Sequence, residues 1–232
     1  MLFMELLREI DPSDWAALAW FAVCWFGYGR YADRFSGKRA GLVNVVHGYR
    51  LQWMRIMLQR DNRIMDSSLV GNLVNSVSFF ASTTMYIIAG LLAVMGTTER
   101  AISFASSFAF VRPESKVMWE LKLLLLLAIF VYAYFKFTWS LRQFNLLSIL
   151  IGGAPLPGAD QAEQERYVRK AGKINSFAGD DFNRGVRAYY FALAALAWLI
   201  QPLLFILVTA WVVYILYRRD YRSQTLAAVN DS

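Results

Sequence analysis

Chemistry-bearing residues are scarce in this chain. It holds one cysteine, Cys24, and one histidine, His47. A lone cysteine excludes an intrachain disulfide, and Cys24 lies inside an apolar run, so the redox compartment leaves no mark. A single histidine leaves no clustered His, Cys and acid set of the kind that metal or acid–base catalysis uses. No P-loop, dinucleotide fingerprint or HExxH pattern occurs. The pair Asp180 and Asp181 has no histidine or third acid beside it, a poor ligand set for a cation. The expectation is a non-enzyme with no catalytic residue, no metal and no cofactor. Period-2 alternation of useful length is also missing, which argues against sheet, and there is no internal repeat or low-complexity tract. Acidic residues at Glu5, Glu9, Asp11 and Asp14 argue against a cleavable signal peptide.

What the chain has is apolar mass. Hydrophobic residues make up 57%, against about 45–50% in soluble domains, and they are gathered into long runs. The formal net charge is +7. In a chain with several spans, such an excess belongs to cationic cytoplasmic loops rather than to nucleic-acid binding. The expected fold is all-α: a single membrane domain over 1–232, a bundle of four transmembrane helices with an amphipathic interfacial helix. The spans are placed at about 15–31, 69–96, 117–141 and 188–217. The apolar stretch of the first, WAALAWFAVCWFGY, is shorter than the ~17–25 residues a crossing needs. Pro202 should kink the fourth. Fifteen of the 24 Lys and Arg residues fall within 30–63 and 142–187. Positive-inside bias then puts loops 32–68 and 142–187 in the cytoplasm and both termini outside, in the inner membrane of a bacterial cell. Arg218, Arg219 and Arg222 conflict with that orientation.

The first loop reads as an amphipathic helix over 42–65. At about 100° per residue, Leu42, Val45, Val46, Tyr49, Trp53, Ile56, Met57 and Ile64 share a face, opposite Arg55, Gln59 and Asn62. Such basic, aromatic helices lie in the membrane interface. Arg60 falls inside the apolar sector, where it snorkels, pairs with an acid such as Asp66 or faces a ligand. In the second loop, Gly152, Gly153, Pro155, Pro157 and Gly158 break the helix. A short solvated helix is expected over 160–173, with Asp180 or Asp181 as N-cap of the fourth span.

Polar residues at membrane depth are the candidate site. On span two, Asn72, Asn75, Ser82 and Tyr86 form a stripe at helical spacing, with Ser68 in line and Ser76 and Thr83 at its edge. On span three, Tyr132, Lys136, Ser140 and Gln143 share a face, with Thr138, Arg142 and Asn145 beside it. A cation near the helix centre costs roughly 2.5–3.5 kcal/mol on insertion scales. Asp61 and Asp66, at the cytoplasmic entry to span two, are the nearest expected counter-charges for Lys136 and Arg142 if the two helices pack antiparallel. Lys122 and Glu120 should reach the interface or another helix. The stripe reads either as interhelical glue or as the lining of a hydrated path.

The segments RDNRIMDSSL (60–69), FFASTT (79–84), ELKLLLLLAIFVYAYFKFTWSLRQFN (120–145) and INSFAGDDFNRGVRAYYFALAALAW (174–198) resemble a family of four-pass membrane proteins known as domain of unknown function 599. The resemblance implies membrane residence and four helices, and no site residues. Two function classes follow. One is an oligomeric channel or transporter for ions or small solutes, whose protomers share a path. The other is an accessory subunit of a membrane complex or a scaffold for anionic lipid. The expected partners are the bilayer, including anionic lipids, and copies of the chain or a membrane complex, with no nucleic acid.

Overall fold

Long runs of Leu, Ala, Phe and Met, with proline only at or between their ends, favour helix throughout. A computed structural model describes residues 11–35, 41–156 and 158–230. Among these there are eight α-helices and no strand. Glu5, Glu9, Lys38, Arg39 and Pro157 lie outside the described residues.

The helices start where short polar side chains catch free N–H groups. Helix α1 (Pro12–Phe35) opens with proline at its first position, and the Asp11 carboxylate accepts the Ser13 N–H at 2.8 Å. Helix α2 (Leu42–Leu58) ends at Gln59, so Ile64, expected on the same helix, belongs to the next one. Helix α3 (Ile64–Gly96) starts against Asn62 Oδ1, which accepts the Ile64 N–H at 2.9 Å. After the short α4 (Thr98–Ser106), Ser115 caps α5 (Lys116–Gly152) by accepting the Met118 N–H at 3.3 Å. Asp160 caps α6 (Gln161–Leu196) through the Glu163 N–H at 3.3 Å. The expected loop 142–187 is therefore helical except for the turn between α5 and α6. Asp180 and Asp181 lie mid-helix and cap nothing, which corrects their expected role.

The second correction concerns Pro202. The expected span 188–217 does not kink but breaks. A 3-10 turn (Ala197–Leu199) follows α6, and Pro202 opens a separate helix, α7 (Pro202–Tyr221), followed by α8 (Gln224–Asn230). Proline suits a first helical position because its missing N–H is not needed there. Among the described residues, three segments are long and apolar enough to cross a membrane: α3, α5 and Pro202–Val229. Helix α1 is not among them, although it runs 24 residues. Its WAALAWFAVCWFGY stretch is short, and Arg30 and Asp33 follow it.

The described residues form two compact units. The first gathers 11–35, 85–132 and 187–219. Its core is aromatic: Phe21 meets Phe191 edge-on at 5.7 Å and Phe205 at 5.0 Å, and Trp198 stacks on Phe205 at 5.3 Å. Ala188, Ala192, Ala194 and Ala195 are buried and let the helices approach closely. Phe21 pairs with Phe205 and Tyr31 with Tyr217, so α7 runs parallel to α1. Arg218 and Arg219 thus end α7 where α1 ends, beyond Arg30.

The second unit gathers 41–84, 133–186 and 220–230. Here α6 is the central element, and its glycines admit its neighbours. A Cβ on Gly172 would lie 2.8 Å from Leu51 of α2, and one on Gly185 would lie 2.5 Å from Phe137 of α5. A Cβ on Gly179 would overlap the Arg50 guanidinium outright. Phe80, Phe137 and Phe182 close a triangle with centroids 5.4–5.8 Å apart. Tyr221 packs on Gly41 at the start of α2.

Candidate functional site

The second unit holds two carboxylate hubs. Asp66, in the first turn of α3, is fully buried. One of its oxygens accepts the Arg60 guanidinium at 2.6 Å and the Trp53 indole N–H at 2.7 Å. Of the roles open to Arg60, pairing with Asp66 is the one observed. Arg63 reaches elsewhere: it donates to the carbonyls of Ala154 at 3.0 Å and Pro155 at 2.6 Å, tying down the α5–α6 turn. The charged run at 60–66 thus fastens three elements at once.

The other hub is Asp181, 5% exposed, halfway along α6. It accepts Lys136 at 3.0 Å, Gln143 at 2.9 Å and Arg184 at 3.1 Å. Lys136 and Gln143 stand two turns apart on one face of α5, as their spacing predicts. The counter-charge of Lys136 is Asp181 of α6, not Asp61 or Asp66, which corrects the expected pairing. Asp61 is exposed, and Arg142 lies 5.8 Å over the Trp139 ring, three residues back on its own helix.

Neighbouring Asp180 meets His47 Nε2 of α2 at 2.8 Å. Arg50 lies flat on Gly179 and donates to the Ser176 carbonyl at 3.4 Å. Burial pulls the Arg50 pKa below its ordinary value, and the Asp180 charge opposes this. Ser140 donates to the Ala178 carbonyl at 2.7 Å. Tyr167 donates to the Leu150 carbonyl at 2.7 Å, and burial raises its hydroxyl to about 12. Asn175 is fully buried with both side-chain polar atoms unpartnered, as is Gln143 Oε1. No group of three His, Cys, Asp or Glu side chains able to hold a metal occurs among the described residues.

The stripe of span two stands apart from these hubs. Asn72, Asn75 and Ser82 are exposed on the outer face of α3. Ser68 and Ser76 turn their hydroxyls back onto the carbonyls of Ile64 and Asn72 at 2.9 and 3.0 Å. No partner for either asparagine amide occurs among the described residues. In the first unit, Tyr86 is 78% exposed, and Tyr132 meets the Trp25 ring edge-on at 5.7 Å. Lys136 and Gln143 turn to α6, so the two halves of the expected path do not meet through any contact described here.

A third network, in the first unit, is not signalled by spacing. Lys122 is 1% exposed and binds Glu114 and the Trp198 carbonyl, the latter at 2.8 Å. The Trp198 indole N–H donates to buried Asp14 at 2.7 Å. Arg112 closes the set, 2.8 Å from Asp11 and 3.6 Å from Asp14. Lys122 thus finds its acid on the segment just before its own helix and a carbonyl in the turn after α6. The one sequence signal was the cost of a lysine in an apolar run.

Across residues 16–225 the chain matches the family model described as protein of unknown function, DUF599. The chain belongs to the DUF599 family. That match spans both carboxylate hubs and every segment that carried the resemblance, and it begins just after Asp11 and Asp14 of the third network. No curated protein and no solved structure matches the chain. The DUF599 description assigns no activity, so function rests on the geometry.

Proposed function

We propose that the protein is a multi-pass membrane protein that self-assembles along α3, with the copies sharing a polar path for a small ion or solute. The observation that carries this is the exposure of Asn72, Asn75 and Ser82 on an otherwise apolar helix. A primary amide facing hydrocarbon is costly, and only a polar partner or water relieves it. Each amide holds both donors and an acceptor, so an identical stripe is its own complement. One chain has few spans with which to enclose a pore, so the path belongs to the assembly.

The crossing pattern we propose has five passes. Helices α1, α3, α5 and α7 cross, and so does the apolar C-terminal part of α6. In support, α6 runs antiparallel to α5 in each unit, with Ser140 on Ala178 in one and Phe130 against Tyr189 in the other. The chain then reverses at Pro202. Helix α1, at ~1.5 Å per residue, is long enough for a ~30 Å core. The first terminus then lies outside and the last in the cytoplasm, which places Arg218, Arg219 and Arg222 with the other cytoplasmic cations.

Reconstitution tests the reading. Purified protein in liposomes should pass small ions, and the double change Asn72→Leu, Asn75→Leu should abolish both flux and the oligomer seen in mild detergent. Silent bilayers across a range of ions, pH and voltage, with a hetero-complex recovered instead, would favour the accessory role. The exposed cations Arg166, Arg169, Lys170 and Lys173 on α6 are what recommend that second reading.

A further inference from the structure

Helix α2 has two working faces, and only one is spent on packing. His47, Arg50, Leu51, Met54 and Leu58 share the side that meets α6, and Met54 and Leu58 are buried there. On the opposite side, roughly 160–180° away at about 100° per residue, Tyr49 and Ile56 remain exposed at 49% and 39%. Along that side, and ending at the turn after α2, lies an open cleft of about 290 Å³, lined by Tyr49, Gln52, Trp53, Ile56 and Arg60.

The cleft has an organised cationic end. Arg60 spends one of its five N–H donors on Asp66. The rest find no partner among the described residues. Asp66 is fully buried and also takes the Trp53 indole, so the guanidinium and the indole that line the cleft are both fixed from beneath. A planar guanidinium fork held in place suits the paired oxygens of a phosphate. Gln52 and Tyr49 add an amide and a hydroxyl donor. The remaining wall, the Trp53 and Tyr49 rings with Ile56, offers nothing to an inorganic anion but suits glycerol and acyl carbons. Exposed tyrosine and isoleucine on a basic helix also mark a surface that rests at the bilayer interface, where phosphodiesters are plentiful.

We infer that this cleft binds the phosphodiester headgroup of a membrane phospholipid, with Arg60 holding the phosphate and Tyr49, Trp53 and Ile56 holding the glycerol end. The site is independent of whether the copies conduct.

The full-length protein in dodecyl maltoside micelles, titrated with dioctanoyl phosphatidylglycerol and followed by native mass spectrometry, tests it. Arg60→Gln should weaken lipid retention by about tenfold or more, since a charge-assisted hydrogen bond to phosphate is lost. That change also strips Asp66 of its partner and risks the fold. The double variant Tyr49→Phe, Gln52→Leu leaves the Arg60–Asp66 pair intact and should weaken retention as well. Arg55→Gln, which removes the same charge from a position on α2 outside the cleft, where Arg55 pairs with Glu165, should leave it unchanged. Equal loss in Arg55→Gln would reduce the effect to bulk charge and overturn the site. So would full retention in both cleft variants, or inorganic phosphate competing as strongly as the lipid.

Discussion

At the scale of single residues, the buried charges Asp66, Lys122 and Asp181 all find a partner of opposite sign, at distances in sequence from three to 45 residues. Lys136 and Gln143 were legible as one face of a helix because side chains seven apart line up. Their partner Asp181 was not, since GDD before a long apolar run reads as a helix start. The real reason for that glycine is Arg50, which needs the space. Arg60 and Asp66, six apart across a turn, were close enough to suggest each other. The Asp14–Trp198–Lys122–Glu114 network joins residues up to 184 positions apart and left no local pattern. Trp198→Phe should strand the buried Asp14 carboxylate without its indole donor and cost about 1–3 kcal/mol, seen as a lower melting temperature in detergent. Asp11 gives a pH effect of known sign. Hydrogen bonds from the Ser13 backbone and side chain, then from Arg112, hold its carboxyl at about 2, below its ordinary 3.8. The folded form therefore gains from the ionised carboxylate above about pH 4 and loses that gain as pH falls towards 2. Carbon-13 titration of the Asp11 carboxyl should find that low midpoint, and Arg112→Gln should raise it.

At the scale of elements, glycine and proline decide what hydropathy alone misreads. Period and composition were enough for α3 and α5, whose apolar runs admit no other structure. They failed on α6, because its first half is charged and its second apolar, so one 36-residue helix looked like a loop followed by a span. They failed on Pro202 because the sequence does not show whether a proline bends a helix or begins one. A paired substitution separates packing from propensity. Gly179→Ala puts a methyl where the Arg50 guanidinium lies and should cost about 1–3 kcal/mol through overpacking. Gly48→Ala, on α2 with nothing within 4 Å of the added carbon, should stabilise by about 0.5–1 kcal/mol through helix propensity. Hydrogen exchange across α2 should rise in the first variant and fall in the second.

At the scale of the whole molecule, the break at Pro202 sets which side the C-terminus occupies. Tyr221 packs on Gly41, and α8 packs on α2, so the tail shares a side with the basic α2 segment. A fluorescent protein fused after the C-terminus should therefore mature and glow in the cytoplasm, whereas alkaline phosphatase at the same position should stay inactive. The opposite pair of results would restore a single span over 188–217. The charges of α6 bear on how the chain is made. Asp181 and Arg187 each lean on another helix, through Lys136 and Gln143 of α5 and Asp33 of α1. A nascent α6 leaving the translocon alone would lack those partners, so it should enter the bilayer only alongside helices already there. Chains halted after α6, before α7 is translated, should leave its far end on the cytoplasmic side. Releasing the ribosome to complete α7 should then draw the two helices in together as a hairpin.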